Sequence, residues 1–72
     1  MKIQVRYRRN LKMSEGKLAA QVAHCVRMLD KYDPTCRIIV LSVSDKQFNE
    51  MKERIIDCYV QNETCLGWIE ND

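Results

Sequence analysis

At 72 residues the chain has room for one domain, 1–72, and a domain of this size buries only about 60% of its unfolded surface, so extra cover from a partner would help it. Its 46% hydrophobic and 31% charged residues are globular in character, and no window approaches the roughly 18 unbroken apolar residues of a membrane span, so no membrane partner is expected. A net charge of +2 does not by itself announce a nucleic-acid partner. Its distribution is uneven, with Lys2, Arg6, Arg8, Arg9, Lys12 and Lys17 against the single acid Glu15, which suggests a basic face or simply arginines on an exposed strand.

In KIQVRYRR, Ile3, Val5 and Tyr7 alternate with Gln4, Arg6 and Arg8, the period of a half-buried strand with a basic outer face. The same polar residues deny MKIQVRYRRN the continuous apolar core of a secretory signal, so a cytoplasmic location is expected. The turn NLKMSEG follows, and Ser14 is the natural N-cap of a helix expected to run to about Tyr32, where Asp33-Pro34 stops it. RIIVLSVS reads as one well-buried strand. Ser44 and Gln47 then form a capping-box pattern opening DKQFNEMKERIIDCY, in which Phe48, Met51, Ile55 and Cys58 recur as a core-facing stripe. YVQNETCLGWI reads as two short strands joined at Asn62-Glu63, a poorer hairpin turn than Asn-Gly.

The order β-α-β-α-β-β implies an α/β fold: a mixed sheet of about four strands with helices packed on it. Both helices on one face would leave the other bare. The RIIVL segment is apolar on both sides, which asks for a cover that this chain need not contain. The four cysteines include no C-x-x-C pair and His24 is the only histidine, so buried reduced thiols are expected rather than a structural zinc site.

Within the first helix, Lys17, Gln21, His24 and Met28 fall within roughly 60° of one another, while Leu18, Val22, Cys25, Val26 and Leu29 collect on a separate, core-facing arc. Ala19, Ala20 and Ala23 leave room for close packing on the flank. Lys17 stands in the first turn, where unpaired backbone N–H groups favour an anion, and Lys12 adds a second cation, which outlines a phosphate site. His24 has the chemistry of a general base, and Gln21 can donate or accept between them. A solvated helix face explains the same stripe.

The segment from Arg8 to His24, R-x-N-L-K-M-x-x-G-K-x-A-A-Q-x-x-H, resembles the N-terminal signature of the class II peptidyl-tRNA hydrolases, the archaeal and eukaryotic type. RIIVLSVSDKQFNEMKERI is similar to that family's second strand and following helix, and TCLGWI to its last strand. The resemblance implies hydrolysis of the ester between a peptide and the 3′ end of tRNA, without an established cofactor or metal. Carried over by position, it implies that Lys17 and His24 belong to the active-site region. Arg8, Asn10, Lys12 and Gln21 would lie near the tRNA acceptor end or its phosphates, and Asn62, aligned with the aspartate of the family's loop, and Thr64, aligned with the threonine that begins its last strand, would join them in binding substrate.

Three departures stand beside the match. Asn10 replaces an aspartate; Gln61-Asn62-Glu63-Thr64 replaces a longer loop of the D-A-G-x-T type; and the chain stops at Asp72 where the family continues into a terminal helix. Trp68, Ile69 and the RIIVL strand therefore either close the core or mediate a homodimer through exposed sheet surface. A hydrolase would need an acid to orient His24, for which Glu63 is the candidate in the shortened loop. The alternative is a non-catalytic module that keeps the fold to bind tRNA, another RNA or a protein. A third reading makes Gly16, Ala19, Ala20 and Ala23 packing residues alone.

Overall fold

A computed structural model describes residues 1–29 and 35–71 of the chain. Strand β1 (Lys2–Arg8) leads through a single 3-10 turn (Arg9–Leu11) into helix α1 (Glu15–Leu29). Strand β2 (Arg37–Val43), helix α2 (Asp45–Arg54) and the hairpin strands β3 (Tyr59–Gln61) and β4 (Cys65–Glu70) follow. The sheet has the order β2-β1-β4-β3, with β1 parallel to β2 and antiparallel to β4, and β3 antiparallel to β4. The expected α/β class, element order and mixed four-stranded sheet are thus observed.

Local chemistry sets the helix starts. Ser14 caps α1, accepting the Lys17 N–H on Oγ at 3.3 Å and the Leu18 N–H on its carbonyl at 2.9 Å. Ser44 and Gln47 close a capping box on α2, at 3.2 Å from the Gln47 N–H to Ser44 Oγ and 3.0 Å from the Ser44 N–H to Gln47 Oε1. The expected end of the first helix at Tyr32, with its Asp33-Pro34 stop, falls outside the described residues. Helix α2 is shorter than expected: it ends at Arg54, and Ile55 turns extended at φ −87°, ψ 114° while still donating to Met51 O at 2.9 Å. Two β-branched residues in succession weaken the helix there. Cys58 still reaches the Phe48 cluster because the chain doubles back toward the sheet.

Side chains on β1 point alternately to the two faces, and each face receives one helix. Ile3 and Val5, with no exposed surface, join Cys25, Val26 and Cys65 beneath α1. On the opposite face Phe48 of α2 packs with Val43 and Leu66, flanked by Met51, Val60 and Trp68. Ile69 packs into the first cluster and Trp68 into the second. The basic side of β1 is only partly wet. Gln4 is buried and accepts from Arg6 at 2.9 Å, and the Arg6 guanidinium lies 5.2 Å from the Trp68 ring centroid.

Strand β2 departs most from expectation. Instead of a well-buried strand it is a sheet edge, with Ile38 48% and Leu41 52% exposed on opposite faces. Among the described residues it pairs with β1 alone. Helix α1 packs chiefly over β4 and β3, and α2 over β1 and β4, so β2 is covered mainly at its last residue, where Val43 meets Phe48.

The close approach of α1 to β4 rests on Gly67. A Cβ there would meet Cys25 Sγ at 2.9 Å and the Gln4 carbonyl oxygen at 3.1 Å. All four cysteines are free thiols, and hydrogen bonding with Cys65, reinforced by burial, holds the Cys25 thiol protonated, above the usual range. Gly67→Ala should therefore destabilise the protein by about 1–3 kcal/mol through overpacking, seen in thermal melts as a midpoint lower by at least ~5 °C. An unchanged midpoint would mean that α1 rides out from the sheet at little cost.

Candidate functional site

Strands β1 and β2, being parallel, finish at the same end of the sheet, and there the start of α1, the start of α2 and the β3–β4 turn meet. Arg8, last residue of β1, joins three of these. Its Nε donates to Asp45 Oδ1 at 3.0 Å, its Nη1 to the Glu63 carbonyl at 2.8 Å, and its backbone N–H to the Thr64 carbonyl at 3.0 Å. The guanidinium also stands 5.7 Å from the Phe48 ring centroid. Arg8 thus holds these elements together from the position that the resemblance sets near the tRNA acceptor end.

Asp45 was not among the expected site residues. As the first residue of α2 it reads in sequence as an ordinary acid complementing the helix dipole. In the fold its second oxygen accepts from Asn10 Nδ2 at 3.3 Å. The Arg8 hydrogen bond, followed by that from Asn10, holds the Asp45 carboxyl below the usual carboxylate range. A carboxylate thus stands against Asn10, supplied by another element.

The hairpin turn is tight. Asn62 and Glu63 have φ of 49° and 52°, and the Thr64 N–H closes on the Gln61 carbonyl at 2.9 Å. Asn tolerates this left-handed region and glutamate is costly in it. Glu63 is held at both ends: its carbonyl accepts from Arg8, and its carboxylate pairs with Lys52 Nζ at 2.7 Å. That pairing turns the carboxylate to α2, so Glu63 is not an orienting acid for His24.

Thr64 ties the turn to α1. Its hydroxyl sits 2.6 Å from the Gln61 carbonyl and 3.2 Å from Gln21 Oε1, sharing one proton between two acceptors. One turn further along α1, His24 is exposed and borders, with Gln21, Met28, Tyr59, Gln61 and Asn62, a cavity of about 310 Å³. Lys17 is exposed one turn before Gln21. Lys12, at φ 50° after the 3-10 turn, is exposed too, as is Arg9 within it.

Of the expected residues, the fold brings Arg8, Asn10, Gln21, Asn62, Thr64 and His24 to one end of the sheet. Lys12 and Lys17 flank the entry to α1 without an ion pair to any described residue. Exposed Arg9 extends this cationic rim. Among the described residues no three His, Cys, Asp or Glu side chains gather closely enough to hold a metal ion, and no helix is long and apolar enough to cross a membrane. Compared with known families, curated proteins and solved structures, the chain shows no match.

A carboxylate whose folded pKa is depressed adds stability that is full above its unfolded pKa of ~3.9 and is lost as pH falls through the lower folded value. Asp45→Asn should therefore lower the melting midpoint at pH 7 and flatten its fall below pH ~4. Melts at a series of pH values in both proteins test this; parallel profiles would show that Asp45 is uncoupled from folding.

Proposed function

We propose that this protein is a small peptidyl-tRNA hydrolase of the class II type, with the fold of that family, cleaving the ester between an acyl or peptidyl group and the tRNA 3′ end. The observation that carries this reading is the hydrogen bond from Thr64 to Gln21. It sets the shortened loop against the helix stripe bearing Lys17 and His24, while Asp45 brings a carboxylate to Asn10.

Ester hydrolysis needs a deprotonated water and a stabilised oxyanion. His24, exposed beside the Gln21–Asn62 cavity, takes the proton from the attacking water and returns it to the departing ribose hydroxyl. The Lys17 ammonium, with the Glu15 and Gly16 N–H groups that the Ser14 cap leaves open, faces the developing negative charge. Gly16 leaves that approach open, since a Cβ at this position would meet no atom within 4 Å. Arg9 and Lys12 meet acceptor-stem phosphates, and Asp45, Arg8 and Thr64 position the turn and the strand end.

A second reading, RNA binding without turnover, is favoured by one contact. The Glu63 carboxylate is occupied by Lys52 at 2.7 Å, and His24 has no hydrogen-bonded acid among the described residues.

Release of an N-blocked aminoacyl group from tRNA by the pure protein separates the two. Lys17→Ala and His24→Ala should each lower turnover by about 100-fold or more, with melting midpoints unchanged because both side chains are exposed. Lys12→Ala should reduce the slope of log affinity against log salt by about 0.7–0.9. A wild-type protein that binds tRNA with a salt dependence yet releases nothing would establish the second reading.

A further inference from the structure

The flank of α1 opposite the candidate site borders an open groove of about 730 Å³, walled by Leu18, Ala19, Val22 and Ala23 and floored by Ile38 and Val40 of β2. Ile38 is 48% and Val40 37% exposed, and together with Leu41 they make β2 the most apolar exposed strand of the sheet. A strand edge of this kind, bare and apolar beside a helix of small residues, is covered in a stable soluble assembly.

Two charges on the groove identify the cover. Glu15 stands at one end of its helical wall and Arg27 at the other, and neither forms an ion pair with a described residue. They are separated by about 18 Å along the helix axis. A second α1 laid antiparallel, so that Glu15 meets the partner's Arg27, necessarily sets Arg27 against the partner's Glu15. The same alignment sets Ala19 against the partner's Ala23, and small residues at that crossing allow axes to approach to about 8 Å. Such a pattern is self-complementary about a two-fold axis that passes between Ala19 and Ala23 on the groove side of the helix, as an isologous interface requires.

We propose that a second copy of this chain covers the groove, the two α1 helices packing antiparallel and each shielding the other's Ile38 and Val40. The stripe of Lys17, Gln21 and His24 lies about half a turn round the helix, so each protomer keeps its candidate site open, with Arg27 at the border between the two flanks. The proposal does not depend on the hydrolase reading, and its test reads mass rather than turnover.

Light scattering coupled to size exclusion, supported by sedimentation equilibrium, measures the assembly from about 1 μM to 500 μM. The expected mass is twice 8.5 kDa in the upper part of that range. Ala23→Lys, a helix-compatible change on an exposed position, should leave the circular dichroism unchanged and raise the dissociation constant by at least tenfold. Glu15→Arg and Arg27→Glu should each weaken association about tenfold, and the double exchange should restore it to within threefold of wild type, since both intermolecular pairs return with their signs reversed. A monomer throughout the range, or a dimer indifferent to all four variants, would overturn the proposal.

Discussion

The guanidinium of Arg8 is the joint on which the functional end of this protein depends. Three parts of the chain that are remote in sequence, the end of β1, the start of α2 and the β3–β4 turn, reach one another through its donors and through the face of Phe48. A planar group with several fixed donors suits this task better than lysine would, because each direction is engaged at once. The turn it holds contains a glutamate in a left-handed backbone conformation, and the pull of Arg8 on the carbonyl and of Lys52 on the carboxylate offsets that local cost.

Charge in the site follows from this commitment. With Arg8 held by Asp45 and the turn, Arg9, Lys12 and Lys17 rim the entry to α1 without an ion pair to a described residue, and exposed Arg27 borders the cavity beside His24. The carboxylate near Asn10 comes from Asp45, and its partners keep it ionised. A carboxylate supplied by α2 and a rim of cations at the entry to α1 set which charges a ligand at this end of the sheet would meet.

The two helices divide the faces of the sheet between them, which resolves the problem of a bare face and creates one at the edge. Fifteen residues of α1 and ten of α2 span three strands well and a fourth poorly. β2 is therefore the strand left with apolar side chains in contact with solvent on both faces. In a chain of this length, association is a direct physical means of completing the core.

Local interactions made much of the architecture legible in the sequence. The alternation in KIQVRYRR, the Ser14 cap, the Ser44–Gln47 box and the Asn62-Glu63 turn each depend on residues a few positions apart, and each is present in the structure. The register of Gln21 and His24 on α1 is equally a matter of helical period. What only the tertiary structure decided concerns distance along the chain. Asp45 meets Arg8 across 37 residues and Thr64 meets Gln21 across 43, and no periodicity encodes such pairings. The exposure of β2 was hidden for the same reason: Ile38, Val40 and Leu41 are as apolar as any central strand, and only the docking positions of the two helices determine that this one is left at the edge.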